Sequence, residues 1–453
     1  MILSRRGKKT SENIFEQRKN KDVETQNKIP NHSFSSKIKN LSSARTEKLI
    51  KLSLITQFFP PDYAATGQLL EELARHLGYL GVDIEVFTGQ PGYAFGTKKA
   101  PAREQSEQVR IQRTRATQVW YQRIRGKALG GVLFTLRAAL HILRHARHHN
   151  VLLVTTAPPF LPVLGYLAHK LFKLTYVCIL YDLYPDIAIA LDVIPKHHWL
   201  ARFWQMVNCK VWQEASQIIV LSPQMKQRVA DICPRAADKI SVIHSWGDAK
   251  KIVPIHKKDN WFAWEYNTVD KFTVLYSGNM GRCHDIDTIL ETAKLLKDEP
   301  IQFLCIGGGA KRKILVEEIK KLDLNNFQFI AYQEKCNLPY SLTACDLSLV
   351  SMDKGFESLV APSKLYPALA TGRPVAVICP QDSYLKQLIA EGKCGQTFDN
   401  GDSQGLAKFI RLLSKNRQLA ESMGKAARKY MQLHFTPEVI ANEYLKVLRK
   451  VVE

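Results

Sequence analysis

From residue 49 onward the chain alternates short apolar runs with stretches of helical period, and it does so twice. The first series has runs at Leu49–Phe59, Val82–Thr88, Val151–Thr155, Thr175–Leu180, Ile218–Ser222 and Ile240–His244. The second has Thr273–Ser277, Gln302–Ile306, Phe327–Ala331, Leu347–Val350 and Val375–Ile378. Runs this short and this apolar suit strands buried on both faces, the condition of a parallel sheet covered by helices. Between the two series, Gly247–Asp270 is charged, aromatic and irregular, as an interdomain connection would be. The expected fold class is α/β, with two Rossmann-like, doubly wound domains facing a cleft. The expected division is 1–48 as a disordered basic tail, 49–250 as an N-terminal Rossmann-like domain and 251–271 as a linker. Residues 272–432 would form a C-terminal Rossmann-like domain, and 433–453 a helix packing back on the first domain.

Charge is the second constraint. The 453 residues include 64 Lys/Arg and 42 Asp/Glu, a net charge of +22. Residues 1–48 hold 12 Lys/Arg, 5 Asp/Glu and few apolar side chains, a composition that does not support a core. The start, Met1-Ile-Leu-Ser-Arg-Arg, has no apolar stretch behind its charges and does not read as a secretory signal. From Val109 to Tyr181 there are 11 Lys/Arg, five His and no acid at all. Within that span Ala128–His149 has helical period. Leu133, Leu136, Leu140 and Leu143 fall on one side, with Arg137, His141, Arg144, Arg147 and His148 mainly elsewhere. A basic amphipathic helix suits an anionic membrane surface, so Arg137, Arg144 and Arg147 are assigned to an acceptor or membrane face. The plainer alternative is a core-packed helix with a solvated basic side.

No helix-turn-helix or zinc-finger pattern accompanies the charge, so no nucleic-acid partner is expected. No run of about 18 apolar residues suggests a spanning helix. The nine cysteines are scattered singly without a Cys-x-x-Cys pair, which suits reduced thiols in a cytosol. The expected location is cytoplasmic, peripheral to the inner face of the membrane.

The loops that carry chemistry all follow strands. Thr66-Gly67 follows the first, and Tyr181-Asp182-Leu-Tyr-Pro185-Asp186 follows Thr175–Leu180. Ser277-Gly278-Asn279-Met-Gly281-Arg282 opens the second series, and Gly307-Gly308-Gly309 comes one unit later. The fullest signal is Glu357-Ser-Leu-Val-Ala-Pro362-Ser363-Lys364, leading through Pro367 to Gly372-Arg-Pro374. It reads as a loop feeding a helix of little more than two turns, with Ser363 as the cap and Lys364 adding charge to a phosphate pocket. Alone, such a stretch is as readily an ordinary loop–helix junction with a surface lysine.

Taken in order, these loops, together with Gln57-Phe-Phe-Pro60-Pro61 and Ser245-Trp-Gly-Asp248, resemble the retaining glycosyltransferases of family 4, also called group 1. The likeness spans roughly residues 50–450, is nearest the bacterial exopolysaccharide branch, and implies the GT-B fold. It implies a sugar acceptor in the first domain, a nucleotide-diphosphate sugar as co-substrate in the second, and neither cofactor nor metal. By that resemblance Asp182 and Glu357 are candidate catalytic residues. Gly67, Gly278, Asn279, Arg282, Gly308, Ser363 and Lys364 are candidates for the donor. The expected partners are a nucleotide sugar, a lipid-linked or glycan acceptor and an anionic membrane.

The chain departs from the family pattern at three places. Pro367 stands where a ribose-binding glutamate is usual, the diphosphate-binding Arg and Lys fall near Asn279 and His284-Asp285, and Tyr181 replaces a histidine. The leading expectation is a metal-independent hexosyltransferase with a rearranged site. The alternative is a catalytically weakened GT-B protein that binds a membrane or another polyanion.

Overall fold

The computed structural model describes residues 49–62, 64–91, 100–115 and 124–453. The segment read above as a disordered basic tail, 1–48, lies outside the described residues. The first domain has strands β1 (Lys51–Ile55), β2 (Asp83–Gly89), β3 (Arg103–Ser106), β4 (Val109–Thr114), β5 (Val151–Thr155), β6 (Thr175–Leu180), β7 (Gln217–Val220) and β8 (Ile240–Val242). They form one eight-stranded sheet in the order β3-β4-β2-β1-β5-β6-β7-β8. The second domain has β9 (Phe272–Ser277), β10 (Ile301–Ile306), β11 (Phe327–Ile330), β12 (Leu347–Ser351), β13 (Val375–Ile378) and β14 (Gly395–Phe398). Their order is β11-β10-β9-β12-β13-β14. Every pairing is parallel except β3 with β4.

Burial explains which strands the sequence shows. β5, β12 and β13 are buried at every position, so they appear as unbroken apolar runs. β3, Arg-Glu-Gln-Ser, is exposed throughout and carries no apolar signal. β4, Val-Arg-Ile-Gln-Arg-Thr, buries alternate residues, and its arginines mask the period. The chain ends in three helices, Ser403–Lys415, Arg417–His434 and Pro437–Val452.

The strand order fixes where a ligand can sit. In the first sheet the chain leaves β1 for β2 on one side and later returns to β5 on the other. In the second, β9 lies between β10 and β12 in the same manner. Such a reversal opens a crevice at the carboxyl ends of the central strands. The domains are joined by more than the connecting chain. Lys257 Nζ lies 2.7 Å from Asp346 Oδ2, and Asn260 Nδ2 donates to Tyr340 O at 2.8 Å, so the connection is folded onto the second domain. The helix Pro437–Val452 packs on the helix Ala65–Tyr79 of the first. Between the domains Trp246 meets Tyr444 edge-on at 6.4 Å and donates Nε1 to Glu72 Oε2 at 3.2 Å.

Candidate functional site

A cleft of about 1080 Å3 opens where the two switch points face each other. The first domain contributes Gln57, Phe58 and Ala64–Thr66 after β1, Thr156–Phe160 after β5, and Tyr181 and Asp182 after β6. The second contributes Gly278, Asn279, Cys283 and His284 after β9, then Met352 and Val360–Lys364 after β12. Leu183 N–H donates across the cleft floor to Leu359 O at 3.2 Å, coupling the loop of Asp182 to the loop that carries Lys364.

Lys364 is the centre of the second-domain wall. Its Nζ lies 2.8 Å from His284 Nε2 and 5.2 Å from the centroid of the Tyr276 ring. His284 Nδ1 lies 2.8 Å from Ser351 O, which accepts its proton and leaves Nε2 as the acceptor for the ammonium. Burial, reinforced by the Lys364 charge, holds the His284 pKa down at about 3, so this imidazole is neutral. Burial also lowers the Lys364 pKa, to about 8. Lys311 braces the same loop, donating to His284 O at 2.7 Å and pairing with Asp353 at 2.9 Å. Among the described residues no carboxylate pairs with Lys364.

Gly278 makes room for this arrangement. Its φ is +123°, and a Cβ there would sit 2.8 Å from Lys364 Cε. Gly307, at φ +126°, lets the next loop close on Gly278, since a Cβ would lie 2.3 Å from Gly278 O. Across the cleft, the Asp182 carboxylate makes no hydrogen bond or ion pair among the described residues, and burial raises its pKa to about 6. Its backbone is held by Thr156, whose hydroxyl accepts from Tyr181 N at 3.2 Å and Asp182 N at 3.4 Å. A cation and a carboxylate, both partly buried and facing one cleft, can stabilise a leaving anion and orient a hydroxyl.

Residues 65–246 match the family model of the glycosyl transferase 4-like domain, and residues 258–430 that of glycosyl transferases group 1. The chain belongs to the group 1 glycosyltransferases. A probable glycosyltransferase of Pseudomonas aeruginosa, WbjE, is 23% identical over 338 residues, covering 73% of this chain and 82% of its own. WcaI of Escherichia coli, a putative colanic acid biosynthesis glycosyl transferase, is 34% identical over 119 residues, 26% of this chain and 29% of that one. Among solved structures, the sucrose-phosphate synthase of Thermosynechococcus elongatus superposes with a TM-score of 0.69 at 17% identity, covering 88% of this chain and 98% of its own. HepE of Anabaena, in complex with UDP, gives 0.65 at 17% identity, with 88% and 99% covered. These structures share the GT-B architecture with this group 1 glycosyltransferase.

Of the residues singled out from sequence, Asp182, Gly278, Asn279, Ser363 and Lys364 line the cleft. Gly67, Gly308, Arg282 and Glu357 do not. Gly67 serves a close approach instead, as a Cβ there would lie 3.0 Å from the Phe58 carbonyl. Gly308 accepts from Met280 N at 2.6 Å and so steadies the Gly278 loop from behind. Arg282 is exposed, and Glu357 is partly buried, with its Oε2 shielded and unpartnered.

The helix after Lys364 is shorter than the sequence suggests, Leu365–Ala370, and Lys364 rather than Ser363 occupies its cap position. Pro367 does not line the cleft. It packs on the interdomain crossing, where a Cβ on Gly247 would lie 3.0 Å from Pro367 N. The sequence contains one Asp-x-Asp spacing, Asp285-Ile-Asp287, but it is not in the cleft. Asp285 accepts from Thr288 N at 2.9 Å, Thr288 Oγ1 at 2.6 Å and Asn400 Nδ2 at 2.7 Å, and Asp287 is exposed. Thr156, Cys283 and the wall Pro158–Phe160 were not singled out. The signal available for them was their position after β5 and β9, the strands that flank or form the switch points.

Burying Asp182 carries a sign that can be measured. Its folded pKa of about 6 exceeds the unfolded 3.8, so the folded state binds the extra proton and stability falls as pH rises between these values. Asp182→Asn is expected to remove that fall and to raise the Tm at pH 7.5, by roughly 2–4 °C for each kcal/mol relieved. Thermal unfolding of both proteins from pH 4 to 7.5 checks it.

Proposed function

We propose that this glycosyltransferase moves a hexose, with retention at the anomeric carbon, from a nucleotide-diphosphate sugar to a lipid-linked or glycan acceptor in polysaccharide biosynthesis. The observation that carries the reading is the Lys364 ammonium, desolvated and resting on a neutral imidazole rather than on an acid. A diphosphate leaving group at that wall gains a fixed positive charge in a site of low dielectric, where such charge is worth most. The Ser363 amide and Asn279, both on the cleft wall, are placed to share the phosphate oxygens, whereas the Gly278 N–H is spent on Ile306 O at 2.8 Å. The UDP held by HepE, which has the same fold, supports a nucleotide diphosphate as the ligand of this wall. The reaction is drawn without a metal, Lys364 and the Ser363 amide taking the developing charge. Asp182, ionised above about 6, orients the acceptor hydroxyl or faces the positive charge that grows on the sugar.

The first-domain wall favours an acceptor with an apolar part. Val132 and Phe160 line the cleft, yet keep 52% and 49% of their surface exposed. Phe160 stacks on Trp204 at 4.4 Å, and beyond it Leu167, Leu171 and Phe203 continue an apolar surface. The helix Ile124–His145 extends that surface with exposed Leu136, Leu140 and Leu143. This reverses the core-packed alternative for the leucine side, because the side turned to the sheet is Phe134, Ala138, His141 and Ile142. Arg137, Arg144 and Arg147 are exposed on the same segment. Apolar side chains set among arginines suit the headgroup region of an anionic bilayer, from which a lipid-linked acceptor would be drawn. Among the described residues no helix is long and apolar enough to cross a membrane.

Lys364→Ala is expected to lower turnover of the nucleotide sugar by about 10²–10³-fold with no loss of Tm. A panel of nucleotide sugars assayed with product analysis checks this, and unchanged turnover would sink the assignment. For the surface, replacing Arg137, Arg144 and Arg147 with Gln is expected to weaken flotation with anionic liposomes by roughly fivefold per charge. Wild-type protein that ignores anionic liposomes at low salt would refute membrane docking.

A further inference from the structure

The helix Ile124–His145 and the turn after it carry a second group of side chains that sugar transfer does not use. His141, His145 and His149 recur every four residues, which aligns three imidazoles along one side. They meet Glu85 of β2. Glu85 Oε1 lies 3.6 Å from His141 Nε2, and Glu85 Oε2 lies 3.3 Å from His149 Nε2. Ligand-capable atoms of Glu85, His141 and His145 all lie within 4.8 Å of one another. None of the four residues lines the cleft.

Two further observations point to a ligand. His141 is only 4% exposed, and neither of its ring nitrogens has a hydrogen-bond partner. It is stacked on Phe87 and on His145, with centroids 4.4 Å away in each case, so its ring is held in place without its polar atoms being satisfied. A buried imidazole in that state is costly unless something binds it. The neighbouring tautomers are already set for such binding. His145 Nδ1 lies 2.9 Å from His141 O, and His149 Nδ1 lies 3.2 Å from His145 O. With Nδ1–H donating to a carbonyl, each ring turns its Nε2 lone pair outward, the arrangement that supports metal-ligating histidines. At His149 that lone pair faces a carboxylate oxygen, and two acceptors at such a distance need a proton or a cation between them.

We propose that Glu85, His141, His145 and His149 form a structural site for a zinc-type divalent cation, separate from the transfer cleft. Imidazoles with a carboxylate suit zinc, whereas magnesium and calcium require sets of oxygen ligands. Zinc bonds of about 2.0–2.1 Å in a tetrahedron place ligand atoms about 3.3 Å apart, close to the two Glu85–His separations. An ion there would tie the end of the helix to β2 and so fix the pose of its leucine and arginine surface. It touches no reacting atom.

The test uses the full chain without a polyhistidine tag, stripped by a chelator and titrated with zinc chloride or magnesium chloride by calorimetry, with thermal unfolding in parallel. The expected result is one zinc per chain and a Tm raised by zinc but not by magnesium. Glu85→Gln should weaken zinc binding at least about tenfold. His141→Phe, which keeps a stacking ring on Phe87, should abolish it while nucleotide-diphosphate binding and the far-ultraviolet spectrum stay as in the wild type. No zinc uptake at micromolar concentration would overturn the proposal and leave a protonated His–Glu cluster. Uptake unchanged in both folded variants would overturn it equally, by placing the ion elsewhere.

Discussion

An ammonium without an acid beside it is the constraint around which the cleft is organised. Lys364 is partly buried against Tyr276 and given one acceptor, the Nε2 of a neutral His284. Each part depends on another. His284 presents that lone pair because Ser351 O takes its other proton, and Lys311 holds the same loop through His284 O. Gly278 is glycine because any side chain would meet Lys364. The arrangement costs free energy in the empty protein, which an anionic ligand would return. Strain of this kind, placed at the end of a central strand, is a mark of function more than of stability.

The two sheets bring this cation to Asp182, a carboxylate with the opposite problem. Both groups sit after strands near a reversal of strand order, and Leu183 N–H to Leu359 O ties their loops together. The same first domain turns its helix Ile124–His145 so that Gly131 and Val132 line the cleft, and the far end meets Glu85. One helix thus joins the first-domain wall of the cleft, the exposed leucines and the histidine cluster. In the proposed reaction, that wall beside an apolar, arginine-bearing surface would let a lipid-linked acceptor enter the cleft without its lipid part leaving an apolar setting.

Much of this was legible in the sequence, for reasons that also explain what was not. Strands such as Val151–Thr155 and Val375–Ile378 are buried on both faces, so their apolar runs speak for themselves. β3 and β4 at the sheet edge are half or wholly exposed, and their polar residues hide them. Lys364 and Gly278 were found because loops after central strands are where ligands bind, yet the contact between them is set by φ at Gly278 and cannot be read from spacing. Gly67 and Gly308 were chosen by the same rule and proved to support backbones behind the cleft. Periodicity located the helix near Arg137 and grouped its leucines, which are exposed, but it did not pick out the face that meets the sheet. Small residues such as Ala138, with His141, pack there because a close approach to the strands favours them.

The central claim is that Lys364 receives the donor diphosphate, and proton linkage tests it most directly. With its pKa lowered to about 8, Lys364 is partly deprotonated at pH 8, and a bound diphosphate would restore its charge. Calorimetric titration of a nucleotide diphosphate at pH 8, in two buffers of different ionisation enthalpy, should show uptake of about half a proton. Lys364→Arg should bind without that uptake. Equal heats in both buffers for the wild type, or the same uptake in the arginine variant, would contradict the account.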